Sequence, residues 1–167
     1  MADRRDAVTE LYLLRHAHAG DAATWDGPDD VRPLSPKGER QSERLGKFLA
    51  GAGFRPDAIV TSPKTRALQT AEIVAAALDV KVRIDERLGE ALDLVALEAI
   101  LTDAGDPSRP VLVGHDPDFS ELLESIAGAR QLPMRKGALA RLDTLRPLSP
   151  GSGTLRWLVP PDFFQGG

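Results

Sequence analysis

Short apolar runs alternate with longer amphipathic stretches along this chain. The runs are bounded by polar or turn-forming residues, and those near residues 11, 59 and 112 are nearly all apolar, as in strands buried on both faces. Another run alternates apolar with charged residues and predicts a half-exposed strand. In all, the pattern predicts six strands, over residues 10–14, 58–61, 80–84, 111–114, 138–142 and 153–159.

Four amphipathic stretches between these runs predict helices. They cover residues 36–50, 64–78, 94–102 and about 117–127. Ser35-Pro36 and Ser62-Pro63 each combine a good N-cap with a proline at the first helical position. Strands that alternate with helices favour an α/β fold, here a three-layer α/β/α sandwich with a mainly parallel sheet. The last two strands have no helix between them and predict an antiparallel edge.

Composition limits the class of protein. The 167 residues carry a net charge of -4, are 42% hydrophobic and include no cysteine. This length suits a single domain over residues 1–167, with its core at about 9–160. Arginines scattered among carboxylates argue against a nucleic-acid partner, and the lack of cysteine excludes disulfides and thiolate metal sites. No apolar run suits a membrane span or a signal peptide, so we expect no membrane partner and a cytoplasmic location.

Polar side chains follow three of the predicted strands. Arg15 and His16 follow the first, Arg66 lies in the first helical turn after the second, and His115 ends the strand that begins at residue 111. Because the carboxyl ends of parallel strands share one edge of a sheet, we expect these side chains to meet. Two helices also begin at this edge with free N–H groups. Guanidinium groups pair well with phosphate oxygens, so the combination predicts a site for a dianionic phosphoryl group.

Two other classes of site remain open on these residues. One is a hydrolytic metal centre made by His16, His18 and His115, but the neighbouring arginines repel a cation and no carboxylate has convincing ligand spacing. The other is a non-catalytic phosphate-binding module, which has no need of a nucleophile. We therefore expect neither a metal nor a cofactor, and a structural role for His18.

Three segments resemble the histidine phosphatase superfamily, whose members share a phosphoglycerate mutase-like fold. The segments are Leu13-Leu14-Arg15-His16-Ala17, Thr61-Ser62-Pro63-Lys64-Thr65-Arg66-Ala67-Leu68-Gln69-Thr70-Ala71 and Val113-Gly114-His115, in the order that the family has them. The stretch Asp30-Val31-Arg32-Pro33-Leu34-Ser35 and the short chain resemble the small SixA-like branch of phosphohistidine phosphatases. The similarity covers nearly the whole chain.

The resemblance implies a role for each residue that matches. His16 is then the nucleophile that becomes phosphorylated, and Arg15 and Arg66 bind the phosphoryl oxygens. His115 donates to the same group, and Arg32 lines the pocket. A neutral imidazole is able to attack phosphorus, and fixed cations stabilise the transition state without a metal.

The substrate depends on whether a general acid is present. An alkoxide leaves badly and needs a proton donor, whereas the imidazole of phosphohistidine leaves readily. The acidic segment after the third strand offers Glu86, Glu90 and Asp93, of which Glu90 is the best candidate. The alternative interpretation of Glu90 is a solvated loop carboxylate.

The stretch between Arg66 and His115 leaves no room for a long lid. An open site favours a phosphorylated side chain of a protein as the substrate, and it disfavours a mutase, which must exclude water. We therefore expect a metal-independent protein phosphohistidine phosphatase. The alternative within the superfamily is a small-molecule phosphomonoesterase.

Overall fold

Six strands and four helices form in a computed structural model that describes residues 7–164. The strands are β1 (Thr9–Arg15), β2 (Ala58–Thr61), β3 (Val82–Ile84), β4 (Pro110–Gly114), β5 (Leu139–Thr144) and β6 (Gly153–Val159). The helices are α1 (Pro36–Gly51), α2 (Thr65–Leu78), α3 (Leu94–Asp103) and α4 (Asp118–Ala127), and short 3-10 helices cover Asp29–Val31, Glu86–Gly89 and Pro161–Phe164. Residues 1–9 carry no apolar core of a signal peptide in the sequence, and residues 1–6 lie outside the described residues.

The strands form one sheet in the order β3-β2-β4-β1-β5-β6. The first four of these run parallel, whereas β5 pairs with β1, and β6 with β5, in antiparallel fashion. The α/β class, the mainly parallel sheet and the antiparallel edge are therefore confirmed. Because β4 lies between β2 and β1, the residues that follow these three strands come out side by side.

Alternating residues of each central strand supply two separate cores. Leu11 and Leu13 of β1 pack in the core beneath α3 and α4, whereas Tyr12 and Leu14 pack in the core beneath α1 and α2. Each of these four side chains is at most 4% exposed. The prediction that this strand is buried on both faces is thus confirmed, and the molecule has helix, sheet and helix layers.

The start of α1 is tied to the loop that follows β1. The Ser35 hydroxyl caps the helix by accepting from the N–H of Gly38 at 3.1 Å, as the sequence predicted. A Cβ atom on Gly38 would lie 1.9 Å from the backbone oxygen of His18, so only glycine lets the helix approach this closely. The approach fixes the backbone just beyond His16. None of the described helices is long and apolar enough to cross a membrane.

Candidate active site

The ends of β1, β2 and β4 are held together by backbone hydrogen bonds. The N–H of His16 donates to the carbonyl of Gly114 at 3.0 Å, and the N–H of Ser62 donates to the carbonyl of Val113 at 3.0 Å. His115 directly follows Gly114 of β4, and it therefore lies between His16 and Ser62. The ring centroids of His16 and His115 are 5.2 Å apart. The two imidazoles that the sequence placed at this edge are brought together.

The imidazole of His16 is buried and held in one orientation. Its Nδ1 lies 2.8 Å from the carbonyl oxygen of Ala17, and because a carbonyl only accepts, Nδ1 carries the proton. The N–H of Ala17 donates to the hydroxyl of Thr70 at 3.1 Å, and this bond holds Ala17 in place. Nε2 is left with its lone pair and is the atom able to act as a nucleophile.

Burial lowers the pKa of His16 from 6.5 to about 4. The hydrogen bond to Ala17 opposes this shift, while the charges of Arg66, Arg15 and Lys136 add to it. The pKa of His115 is lowered further, to about 3, by burial first and then by His16 and the charges of Arg66, Lys64 and Arg15. Both rings are therefore neutral at pH 7.

Ser62 orients the second imidazole. Its hydroxyl lies 2.7 Å from Nε2 of His115 and accepts from the N–H of Lys64 at 3.2 Å. The Ser62 hydroxyl then donates its own proton to Nε2 of His115. Since Nε2 accepts, the ring proton of His115 is on Nδ1. The prediction that Ser62 is the N-cap of the next helix is wrong, because α2 begins at Thr65 with no side-chain cap.

Protein oxygens accept hydrogen bonds from only part of the guanidinium of Arg15 and of Arg66. Arg15, which continues the β1 alternation, donates from Nη1 to the carbonyl of Met134 at 2.7 Å and lies 3.7 Å from a carboxylate oxygen of Asp116. Arg66 donates from Nη1 and Nη2 to the backbone and side-chain oxygens of Asp29, at 2.8 and 3.0 Å. The Nε atom of each guanidinium has no hydrogen-bond partner within residues 7–164.

Asp29 also organises the third arginine. Its other carboxylate oxygen accepts from Nε of Arg32 at 3.1 Å, and Nη1 of that arginine donates to the carbonyl of Ala19 at 2.7 Å. The hydrogen bonds and charges of Arg32 and Arg66, the bond from Arg32 first, lower the pKa of the Asp29 carboxyl. Arg32 is buried although it follows an exposed loop, and Asp29 joins it to Arg66 at the rim of the site.

Three buried donors of this site have no partner among the described residues. They are Nε of Arg15, Nε of Arg66 and Nδ1 of His115; the only other buried side-chain nitrogen or oxygen of this kind in residues 7–164 is Nε of Arg109. Unpaired buried donors are rare and costly in proteins. An anion with several oxygens has enough acceptors for all three, so the donors fit a phosphoryl group.

None of the acidic candidates forms a hydrogen bond with these donors within residues 7–164. Glu90 is exposed, and its carboxylate forms no hydrogen bond within residues 7–164. A Cβ atom on its neighbour Gly89 would lie 3.1 Å from Pro63 and 3.3 Å from the Ser62 hydroxyl, so Glu90 follows a residue that lies against the Ser62-Pro63 turn. Asp93 is used as the N-cap of α3, accepting from Ala96 at 2.8 Å, and Glu86 is exposed.

His18 is held away from the donors by α1. Its Nδ1 lies 2.6 Å from the hydroxyl of Ser35, and its N–H donates to the side chain of Gln41 at 3.0 Å. Over the described part of the chain, no group of three or more His, Asp or Glu side chains is arranged to hold a metal ion. The donors at this edge are N–H groups, which suit an anion.

Sequence reasoning missed one cation of the site, Lys136. This residue lies in the connection between α4 and β5, which carries no recognisable motif. Only the hydrogen bonds of its neighbour reveal its place: the N–H of Gly137 donates to the carbonyls of Arg15 and His16, at 3.1 and 2.9 Å. The Lys136 charge contributes to the lowered pKa of both His16 and His18.

The two lowered pKa values predict a loss of stability in mild acid. Between pH 6.5 and about 4 the unfolded chain binds more protons at His16 and His115 than the folded chain, so the free energy of unfolding falls as pH falls. The slope is about 1.4 kcal/mol per pH unit for each histidine. Urea unfolding near pH 7 and near pH 5 measures it.

The variant His115→Gln removes one of the two titrating rings. We expect its loss of stability between these pH values to be about 2 kcal/mol smaller than that of the wild type. An equal loss in both proteins would contradict the neutral, buried state of His115. The carboxylates with lowered pKa, such as Asp29, act only at lower pH.

Comparison with known proteins places this arrangement in a family. The model of the histidine phosphatase superfamily (branch 1) matches residues 11–106, more than half of the chain. An uncharacterized protein of Picosynechococcus is 40% identical over 121 residues, which are 71% of this chain and 73% of that protein. The phosphohistidine phosphatase SixA of Escherichia coli is 27% identical over 157 residues, covering 91% of this chain and 94% of SixA.

Solved structures support the same family. The structure of the protein histidine phosphatase SixA complexed with tungstate superimposes with a TM-score of 0.79 at 25% identity, over 94% of this chain and all of that one. The matched family model begins at β1 and includes the strand ends that carry Arg15, His16 and Arg66. Together with the paired imidazoles and the cluster of unpaired donors, these matches show that the chain belongs to the histidine phosphatase superfamily and resembles its SixA-like branch.

Proposed function

We propose that this protein is a metal-independent phosphatase that works through a phosphohistidine intermediate on His16. The observation that carries the proposal is the set of three buried, unpaired donors on Arg15, Arg66 and His115, gathered around a neutral imidazole. A pure binding module gains nothing from a neutral ring with a free Nε2 lone pair in such a place. The whole chain, in this proposal, forms one domain around the site.

The first half of the reaction transfers the phosphoryl group to the protein. The Nε2 lone pair of His16 attacks phosphorus and forms an N–P bond, while the bond to the leaving group breaks and its electron pair goes with the leaving group. Nδ1–H of His16 stays bonded to the carbonyl of Ala17, which stabilises the positive charge that develops on the ring. The Nε groups of Arg15 and Arg66 and Nδ1–H of His115 bind the phosphoryl oxygens.

The second half releases phosphate. A water molecule attacks the phosphorus, the N–P bond breaks, and its electron pair returns to Nε2 of His16. One proton of the water stays on the phosphate and the other passes to solvent, and the His16 ring is neutral again. The lowered pKa of His16 favours this neutral form over a protonated ring that has no lone pair.

A phosphohistidine side chain of a protein is the substrate that we propose. His16 and Arg66 are only 5% and 7% exposed, so a phosphoryl group must enter while the rest of the substrate stays at the surface. Glu90 is exposed, and the bonds to Asp29 occupy the carboxylate nearest the arginines. A site with no committed proton donor suits an imidazole leaving group. The E. coli relative, a phosphohistidine phosphatase, supports this choice.

Turnover of three substrate classes tests the proposal. The substrates are a phosphohistidine protein, a phosphoserine peptide and a panel of metabolite phosphate esters, each with metal chelator present. We expect kcat/KM to be highest for phosphohistidine. Faster turnover of one metabolite ester would favour the small-molecule phosphomonoesterase instead, and activity lost to the chelator would contradict metal independence.

The variant Glu90→Gln tests the proposed general acid separately. If Glu90 protonates the leaving group, the variant loses turnover of alkyl phosphates by about 10²-fold and keeps that of phosphohistidine. If both activities remain, Glu90 is a solvated carboxylate. The matched control is Glu86→Gln, since Glu86 is also exposed on the same short segment.

A further inference from the structure

The segment from Met134 to Ala138 is fastened to the end of β1 at several points. The carbonyl of Met134 accepts from the guanidinium of Arg15, and the carbonyl of Ala138 accepts from the N–H of Arg15 at 3.1 Å. Gly137 donates to the carbonyls of Arg15 and His16. Lys136 lies between these anchor points, so its backbone is fixed relative to the imidazole of His16.

Lys136 is a half-buried lysine without a counter-ion. Over residues 7–164 its ammonium forms no ion pair or hydrogen bond with a carboxylate, unlike its exposed neighbour Arg135, which lies 3.9 Å from Asp162. The charges that act on Lys136 are those of Arg15, Arg32, Arg66 and Asp21. Lys136 acts in turn on the two imidazoles of His16 and His18. Among these only Asp21 is negative, and it is exposed.

A cation held among other cations costs free energy unless an anion joins them. Arg15 lies 3.7 Å from Asp116, and Arg32 and Arg66 share Asp29 at 3.1 and 3.0 Å. Within residues 7–164 Lys136 has no such carboxylate beside it, and the negative charge that acts on it is that of the exposed Asp21. A dianionic ligand at this edge supplies the negative charge that Lys136 lacks.

We propose that Lys136 is a substrate-binding residue, whose ammonium binds the phosphoryl group together with Arg15 and Arg66. The inference rests on the proposed function for its role during turnover. It deepens that function by adding a third cation, from a segment remote in sequence, to Arg15 and Arg66 among the groups that stabilise the transferred phosphoryl. The three buried donors hold the phosphoryl from within, and Lys136 closes the anion site at its rim.

Burial first, and then the charges of Arg15, Arg32 and Arg66, lower the pKa of Lys136 in the free protein. A bound dianion reverses the sign of this local field, so phosphate binding raises the Lys136 pKa again. By linkage, phosphate must bind more weakly once Lys136 loses its proton at alkaline pH. A lysine that only packs against the loop would not produce this dependence.

The test measures binding of inorganic phosphate by calorimetry to the wild type, Lys136→Met, Lys136→Arg and the matched control Arg135→Met. Near pH 7 we expect Lys136→Met to bind phosphate about 10-fold more weakly and Arg135→Met to bind within twofold of the wild type. Lys136→Arg keeps a charge at high pH, so its affinity should exceed that of the wild type increasingly as pH rises toward 10. Lys136→Gln repeats the measurement if the methionine variant does not fold.

Each outcome has a defined meaning. Equal weakening in Lys136→Met and Arg135→Met, or equal pH dependence in wild type and Lys136→Arg, overturns the role of Lys136. The measurement needs no turnover, so it separates the two proposals. If the wild type binds phosphate through Lys136 but hydrolyses no substrate, the proposed phosphatase function is wrong and the proposed anion site stands. A wild type that binds no phosphate would overturn both.

Discussion

Replacing His16 by alanine is expected to abolish phosphatase turnover, with a loss of at least about 10⁴-fold in kcat. The variant removes the only ring at this edge whose Nδ1 proton is held by a backbone carbonyl and whose Nε2 is left free. The remaining donors still bind phosphate, because Arg15, Arg66 and His115 are unchanged. Turnover of p-nitrophenyl phosphate and phosphate binding by calorimetry measure the two effects separately.

A second measurement identifies the covalent step. Wild type mixed briefly with labelled substrate and quenched in base should retain label that acid then releases, as phosphohistidine does, and His16→Ala should retain none. The matched control is His18→Gln, because His18 lies two residues away but bonds to Ser35 of α1. It should keep turnover within about tenfold. Near-normal turnover by His16→Ala would reject the nucleophile.

The sequence predicts the centre of the sheet well because the central strands are buried. The β1, β2 and β4 runs are apolar on both faces, and this pattern has few alternatives once helices separate the runs. The same reasoning predicts which residues follow the strands and so brings Arg15, His16 and His115 to one edge. The strand alternation, however, carries no information on how a loop returns to that edge.

Side-chain partners were harder to predict than elements. Ser62 has the sequence of an N-cap, yet the hydroxyl bonds to His115, a residue 53 positions away. Lys136 follows no motif and reaches the site only because Gly137 bonds to the end of β1. Arg146 also looks like a surface arginine, but its guanidinium is buried against Glu98 and Asp106. Such contacts depend on tertiary packing, which local sequence does not encode.

Replacing Arg66 by alanine is expected to lower kcat/KM by about 10³-fold. The change removes one of the three buried donors and a positive charge next to both imidazoles. Arg66→Lys keeps a charge but has no planar fork to hold Asp29 and a phosphoryl oxygen together, so we expect a loss of about 10²-fold. The matched control is Arg44→Ala on the exposed side of α1, which should stay within twofold.

The pH profile shows whether Arg66 acts as a charge as well as a donor. Its charge lowers the pKa of His16 and of His115, so Arg66→Ala should raise both values. More of the nucleophile is then protonated in mild acid, and the acid limb of kcat/KM for Arg66→Ala should lie at higher pH than in the wild type. Arg66→Lys should leave this limb near its wild-type position while still losing activity. An unmoved acid limb in Arg66→Ala would mean that burial and the charges of Arg15 and Lys136 keep His16 neutral without Arg66. Arg66 would then contribute only its hydrogen bonds to the phosphoryl group.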